Sequence, residues 1–309
     1  MLPAMKRILA IALAVALPFG CKPVEKKVAV NPNYEKEIHD WQTHRAERLK
    51  AEDGWLSLAG LYWLQEGENR FGSDRANDRV IFPARIAADA GVLTMKDGHV
   101  TLDAHTPMTI GGKPVAATTP LLDDSDPNGP TIVQIGTVRF QIIKRGPRYG
   151  VRIKDPEAET RTKFKGLDYF PIDPKWRVEA KFEPYNPTKK IPITDVTGMT
   201  SDSDSPGALV FSIDDHEYRI DPILEDPKAE DLFIIVKDAT SRDTTYQPGR
   251  YLYVKRPGPD GKVIVDFNKL YNPPCAFTDF ATCPLPPKQN VLPIRIEAGE
   301  KRYAGGHHA

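Results

Sequence analysis

Apolar and polar residues alternate in short runs through most of this chain, and one stretch keeps a different rhythm. YEKEIHDWQTHRAERLKAED (34–53) carries Ile38, Trp41, Arg45 and Leu49 at spacings of three and four. That is the period of an amphipathic helix. Asn31 offers an N-cap, Pro32 suits the first turn, and Gly54 supplies a stop, so one helix is predicted over 32–54. From Trp55 onward the pattern is strand and turn. WLSLAGLYWL (55–64) is densely apolar and reads as a buried strand pair, or as one strand with a tight turn. LTMKDGHVTL (93–102) places two alternating arms around Asp97-Gly98, a hairpin signal. TVRFQIIKR, WRVEAKFEPY, GALVFSID with HEYRIDPIL, DLFIIVKD, GRYLYVKR, KVIVDFN and VLPIRIE read as further strands. No long helices alternate with them, which excludes a doubly wound sheet and leaves an all-β chain behind one N-terminal helix.

Composition sharpens this. Twenty-nine prolines, excluded from helix interiors and central strands, favour short strands joined by turns. The 40% hydrophobic and 27% charged content is that of a globular protein. Its length fits two domains or one large β domain.

The first 21 residues carry a different message. Lys6 and Arg7 precede an apolar run from Ile8 to Phe19, then Gly20 and Cys21. This is the layout of a secretory signal peptide, and the run is too short to span a bilayer. A cysteine directly after the small residue resembles the lipobox of bacterial lipoproteins, which implies lipid on Cys21 and a mature chain starting there. A plain cleaved signal and an uncut anchor are the alternatives. Removal of residues 1–20 lowers Lys+Arg from 42 to 40 against 42 Asp+Glu, about −2 in net charge. Such a chain has no basic footprint for nucleic acid. Lipidation would leave Cys275 and Cys283, an even pair in an oxidising compartment, and a disulfide between them is predicted.

Two resemblances follow. GENRFGSDRANDRVIF, VLTMKDGHVTL, IGGKPV, LLDDSD and IGTVRFQII, within 66–145, resemble in their order a forkhead-associated domain, a β-sandwich that reads phosphothreonine. The phosphate-reading positions of that family fall on Ser73, Ala87, Ala90 and Gly111, which lack the needed charge and donors. The resemblance therefore implies the sandwich without phosphothreonine-peptide binding. The whole chain, from about Trp41 to Tyr303, resembles a bacterial family known as domain of unknown function 1684. The motifs are GWLSLAGLYWL, EGENRFGSD, RYGVRIKDP, GLDYFPIDPKWRVEAKF, GRYLYV, DFNKLYNPPCAFTDFATCPLPPKQN and IEAGEKRY. It implies no activity.

The resulting plan has a signal peptide at 1–20, a lipidated tether at 21–31, the helix at 32–54 and a forkhead-associated-like sandwich at 55–146. A β-rich, barrel-like domain at 147–304 and a disordered tail at 305–309 complete it.

The densest chemistry lies at 266–290. Prolines fix this long loop without ladder partners, and Pro273-Pro274 and Pro286-Pro287 are expected to hold it extended. Tyr271, Phe277 and Phe280 would line a pocket, with Asp266, Asn268 and Asn272 orienting a polar ligand and Arg250 as anion partner. The alternative is a plug closing a barrel end. Asp124, Asp126, Asn128 and Gly129 start like a calcium loop, but Ile135 stands where its closing Glu belongs, so a polar turn is expected. His39 and His44 read as solvated, and His307 and His308 fall in the tail. No metal, cofactor or catalytic residue is assigned; Cys275 has no evident histidine partner, and His216 sits in a likely hairpin turn. The sequence thus points to a bacterial envelope lipoprotein, periplasm-facing or on the outer membrane. Its expected role is a small-molecule-binding or structural β module; an exported hydrolase working at the 266–290 loop, or a protein-interaction module, are the rivals.

Overall fold

The computed structural model describes residues 31–76, 79–116 and 118–305. The signal peptide, Cys21, the tether up to residue 30 and tail residues 306–309, with His307 and His308, lie outside them.

Helix α1 spans Tyr34–Lys50, shorter at both ends than expected. The Asn31 side chain accepts from the Asn33 amide at 2.8 Å, so Asn31-Pro32-Asn33 forms a turn ahead of the helix instead of its first turn. The predicted stripe holds: Ile38 and Leu49 are buried, with Trp41 and Arg45 half-buried between them. No helix among the described residues is long and apolar enough to cross a membrane.

Eleven strands follow: β1 (Leu58–Trp63), β2 (Gly67–Gly72), β3 (Val80–Ile81), β4 (Gly91–Lys96), β5 (His99–Ala104), β6 (Thr109–Ile110), β7 (Lys113–Pro114), β8 (Thr118–Leu121), β9 (Val133–Ile135), β10 (Val138–Arg145) and β11 (Arg148–Lys154). They form a five-stranded sheet, β3-β2-β4-β5-β8, and a six-stranded sheet, β1-β11-β10-β9-β6-β7. One apolar core draws residues from both, so the two sheets pack as a sandwich. Phe71, Phe82 and Phe140 meet at its centre with ring centroids 5.4 to 5.6 Å apart. The WLSLAGLYWL run is a 3-10 turn (Trp55–Ser57) and a single strand, not a strand pair.

The C-terminal half is a half-barrel on a second core. Its strands are β12 (Arg177–Thr194), β13 (Thr200–Ile213), β14 (His216–Ile220), β15 (Asp231–Val236), β16 (Arg250–Lys255) and β17 (Lys262–Asp266). They make a sheet of order β14-β13-β12-β17 and a β15-β16 pair. VLPIRIE is not a strand. Its backbone touches residues 237–239 only through a Lys237–Val291 bridge and the bonds Leu292 N–H to Lys237 O and Ala239 N–H to Ile294 O, while Arg250 donates to the carbonyl of Ile296 (2.9 Å) and, just beyond the run, to those of Ala298 (2.5 Å) and Glu300 (3.2 Å). A third core joins the halves, bringing Leu49 of α1, Leu58 of β1, Phe233 and Ile235 of β15, and Cys275, Phe277 and Cys283 of the 266–290 loop together.

Candidate functional site

The 266–290 residues fall into polar joints. In one, the Tyr34 hydroxyl lies 2.8 and 2.9 Å from the two Asp266 carboxylate oxygens, and the Asn268 side chain donates to Tyr34 Oη and to the Asp173 carbonyl. Burial, then the Asp266 charge, pushes the Tyr34 hydroxyl well above the ordinary phenol range, so it stays a donor. This joint holds the start of α1 to the end of β17. In a second, Arg45 donates to Glu300 Oε1 at 3.0 Å and to the Asn272 carbonyl at 2.8 Å, and lies 4.7 Å above the Tyr271 ring. The Asn272 amide donates to Glu300 Oε2 at 2.7 Å. Burial pushes the Glu300 carboxyl up, with Arg45 opposing. In a third, Arg250 is fully buried and donates to Asp238 Oδ2 at 2.8 Å besides its three carbonyls. Phe277 is buried against the ring of Tyr303, with centroids 4.9 Å apart.

Cys275 and Cys283 stand with Cα atoms 6.2 Å apart and their sulfurs at disulfide distance. Pro273 and Pro287 are extended, as expected, and each leads into a short 3-10 turn, Pro274–Ala276 and Lys288–Asn290. A cavity beside the cysteines, lined by Tyr246, Tyr251 and Pro286 among others, holds about 10 Å³, room for a single water. Arg250, Asp266, Asn268, Tyr271, Asn272 and Phe277 line neither this cavity nor the larger one described next.

That larger cavity, about 150 Å³, opens on the outer face of the sandwich. Its origin is the register of one hairpin. β10 and β11 turn tightly at Gly146-Pro147, pairing Arg139 with Lys154 and Gln141 with Arg152. Val138, Phe140 and Ile142, with Val151 and Ile153, point into the sandwich core. Because strand side chains alternate, Arg139, Gln141, Arg152 and Lys154 share the opposite face as a square of four. Asp53, from the segment after α1, and Ile132 complete the rim.

Arg152 decides the character of this place. It is 6% exposed, and its Nε is buried with no hydrogen-bond partner. Its Nη2 donates to Thr282 Oγ1 at 3.3 Å, and its guanidinium lies 5.7 Å from the ring of Trp55. Burial, then neighbouring Arg145, pushes its pKa down to about 10, with Asp124 opposing. Lys154 is likewise pushed down, by burial first and then by Arg152 and Arg139, while Asp53 opposes. Its Nζ donates to the Asp53 carbonyl at 2.6 Å. Arg139 makes no ion pair among the described residues. Next door the chain does supply a carboxylate: Asp124 accepts from Arg145 at 2.9 and 3.1 Å. That ion pair is the use of the calcium-like turn; the described residues hold no group of three or more His, Cys, Asp or Glu placed for a metal.

None of these cavity residues was singled out from the sequence. The signal was present in TVRFQIIKR-GP-RYGVRIK. A two-residue turn at Gly146-Pro147 fixes which positions face one another, and the polar positions of both arms are cationic or amide. The 266–290 loop does reach the neighbourhood, through Thr282, whose hydroxyl also accepts from Arg145 Nε at 3.0 Å.

Fold and site together define an all-β protein with a half-barrel braced against a sandwich, and a cation-lined cavity on the sandwich's outer face. Residues 162–301 match the family described as Protein of unknown function (DUF1684). The solution structure of an uncharacterized protein of Haloarcula marismortui is 31% identical over 46% of this chain and 78% of its own, with a TM-score of 0.39. A chain from a structural and functional analysis of phosphothreonine-dependent FHA domain interactions is 13% identical, over 30% of this chain and 92% of its own, with a TM-score of 0.21. No curated protein matches the chain.

Proposed function

We propose that this protein is a small-molecule-binding β module of the bacterial cell envelope, exported by residues 1–20 and held at the membrane by lipid on Cys21. The observation that supports binding is buried Arg152, a guanidinium with no carboxylate partner among the described residues, lining a cavity of about 150 Å³. Buried polar groups in folded proteins are nearly always hydrogen-bonded, and a buried charge without a partner is costly. An acceptor group on a ligand in the cavity would offset that charge. The volume is that of a site able to hold a benzene-sized group. The C-terminal half then acts as a brace, its polar joints fixing α1 and the final segment so that Thr282 meets Arg152.

A ligand that binds only the folded protein raises its stability by about 2.7 kcal/mol at a hundredfold excess over Kd. Melting curves against a library of neutral and charged small metabolites test the reading. At least one compound should raise the melting temperature, and Ile132→Trp, which fills the cavity mouth, should abolish the rise. A library without any stabilising compound, or a rise that survives Ile132→Trp, would overturn it.

A further inference from the structure

Taking that cavity as the binding site, and so resting on the reading above, we infer that its ligand is a small organic oxyanion. Its carboxylate or phosphate group would sit against Arg152 and Arg139, and a short apolar body would reach toward Ile132 and Trp55.

The lining holds three cations, Arg139, Arg152 and Lys154, against one acid, Asp53. Arg139 and Lys154 face each other directly across the strand pair. Like charges in that position destabilise a sheet. Around Arg145 the chain offsets its cation with Asp124. No carboxylate reaches Arg139 or Arg152 within ion-pairing distance among the described residues, so the charges that remain face the cavity. A neutral ligand would leave that repulsion in place; a cation would add to it.

Arg152 lies buried with its Nη2 tied to Thr282, which fixes the guanidinium plane before any ligand arrives. A planar cation held in one orientation suits an oxyanion with two acceptor atoms. Gln141, opposite Arg152, carries an amide able to donate to the same group. The apolar part follows from Ile132 on the rim, 40% exposed, and from Trp55, which lies outside the lining but beside the Arg152 guanidinium and is 39% exposed.

Calorimetric titration of the purified protein tests this with four probes: benzoate, phenyl phosphate, inorganic phosphate and neutral benzamide. Benzoate or phenyl phosphate should bind, more weakly as NaCl is raised, and the tighter of the two identifies the oxyanion. Benzamide should not bind. Loss of a charge-assisted hydrogen bond in Arg139→Gln should weaken binding at least about tenfold. Arg152→Gln should abolish it, with a melting curve to show the variant folds; Arg139 is half-exposed, so its variant decides even if that one does not fold. Equal binding of benzamide and benzoate would overturn the charge, and equal binding of inorganic and phenyl phosphate would overturn the apolar body. Unchanged affinity in Arg139→Gln would overturn the site. Should only neutral compounds stabilise the protein in the library screen, this inference fails while the binding reading stands; should no compound of any charge do so, both fail.

Discussion

Glu300 has no exposed surface, and its partner Arg45 comes from a helix 255 residues earlier in the chain. Two opposing forces meet at this carboxyl. Burial raises its pKa above the ordinary 4.5, and Arg45 pulls it back. A carboxyl whose folded pKa is raised stabilises the fold most fully below its unfolded value, and that contribution is lost as pH rises through the folded pKa. Arg45→Met removes the opposing charge and raises the folded pKa further. Breaking a buried pair by deleting one partner costs about 3–5 kcal/mol. The loss in Arg45→Met should therefore be of that order at pH 7.5 and clearly smaller at pH 5, where Glu300 can take up a proton. Urea unfolding of both proteins at the two pH values measures it. An identical loss at both would assign the effect to the lost contact with Tyr271 and not to Glu300.

At the scale of elements, the 266–290 loop is held by packing, by its prolines and by the Cys275–Cys283 pair, eight positions apart. Closing a loop of about nine residues stabilises a fold by roughly 2.5 kcal/mol on the chain-entropy estimate. Cys275→Ser with Cys283→Ser should lose about that much, and a reductant should lower the melting temperature of the native protein but not of the double variant. An unmoved melting temperature under reduction would mean that the bridge contributes nothing. The helix and the hairpin at Asp97-Gly98 were readable in the sequence, because local periodicity and turn chemistry set both. The length of β12 was not. Its prolines read as strand ends, yet β17 pairs with β12 only over Arg177–Lys181, so beyond that point β12 is an edge and tolerates Pro184 and Pro192. VLPIRIE misled for the opposite reason: Ile296 sits in the core as a strand residue would, but the run meets residues 237–239 only at a single bridge and two backbone bonds, and the Ile296 carbonyl is taken by the Arg250 side chain. The loop residues were chosen by type within one segment. Asp266, Asn272 and Arg250 are polar groups that tie distant segments together, and those partners are set by tertiary contact. The cavity depended on the register between two strands, which a reading of each strand by itself does not reveal.

For the whole molecule, the order of parts along the chain bears on where it works. The segment ending at Gly20-Cys21 precedes α1 by little more than ten residues, and α1 is clasped to the C-terminal half through Tyr34 and Arg45. An anchor at Cys21 would therefore act on the half-barrel first. The sandwich joins through the third core, where Leu49 of α1 meets Leu58 of β1. Lipid on Cys21 would hold the protein with that core linking the anchored half to the half that carries the cavity. One acyl chain gives only marginal membrane attachment, whereas two or more hold a protein stably. Mass spectrometry of the protein recovered from bacterial membranes should find its N-terminus at Cys21 with added acyl mass. Cys21→Ser should shift it to the soluble fraction or leave residues 1–20 uncut. An N-terminus at another residue, or an unmodified Cys21 on a membrane-bound chain, would overturn the anchor and leave the cavity untouched, because among the described residues none before Asp53 lines it.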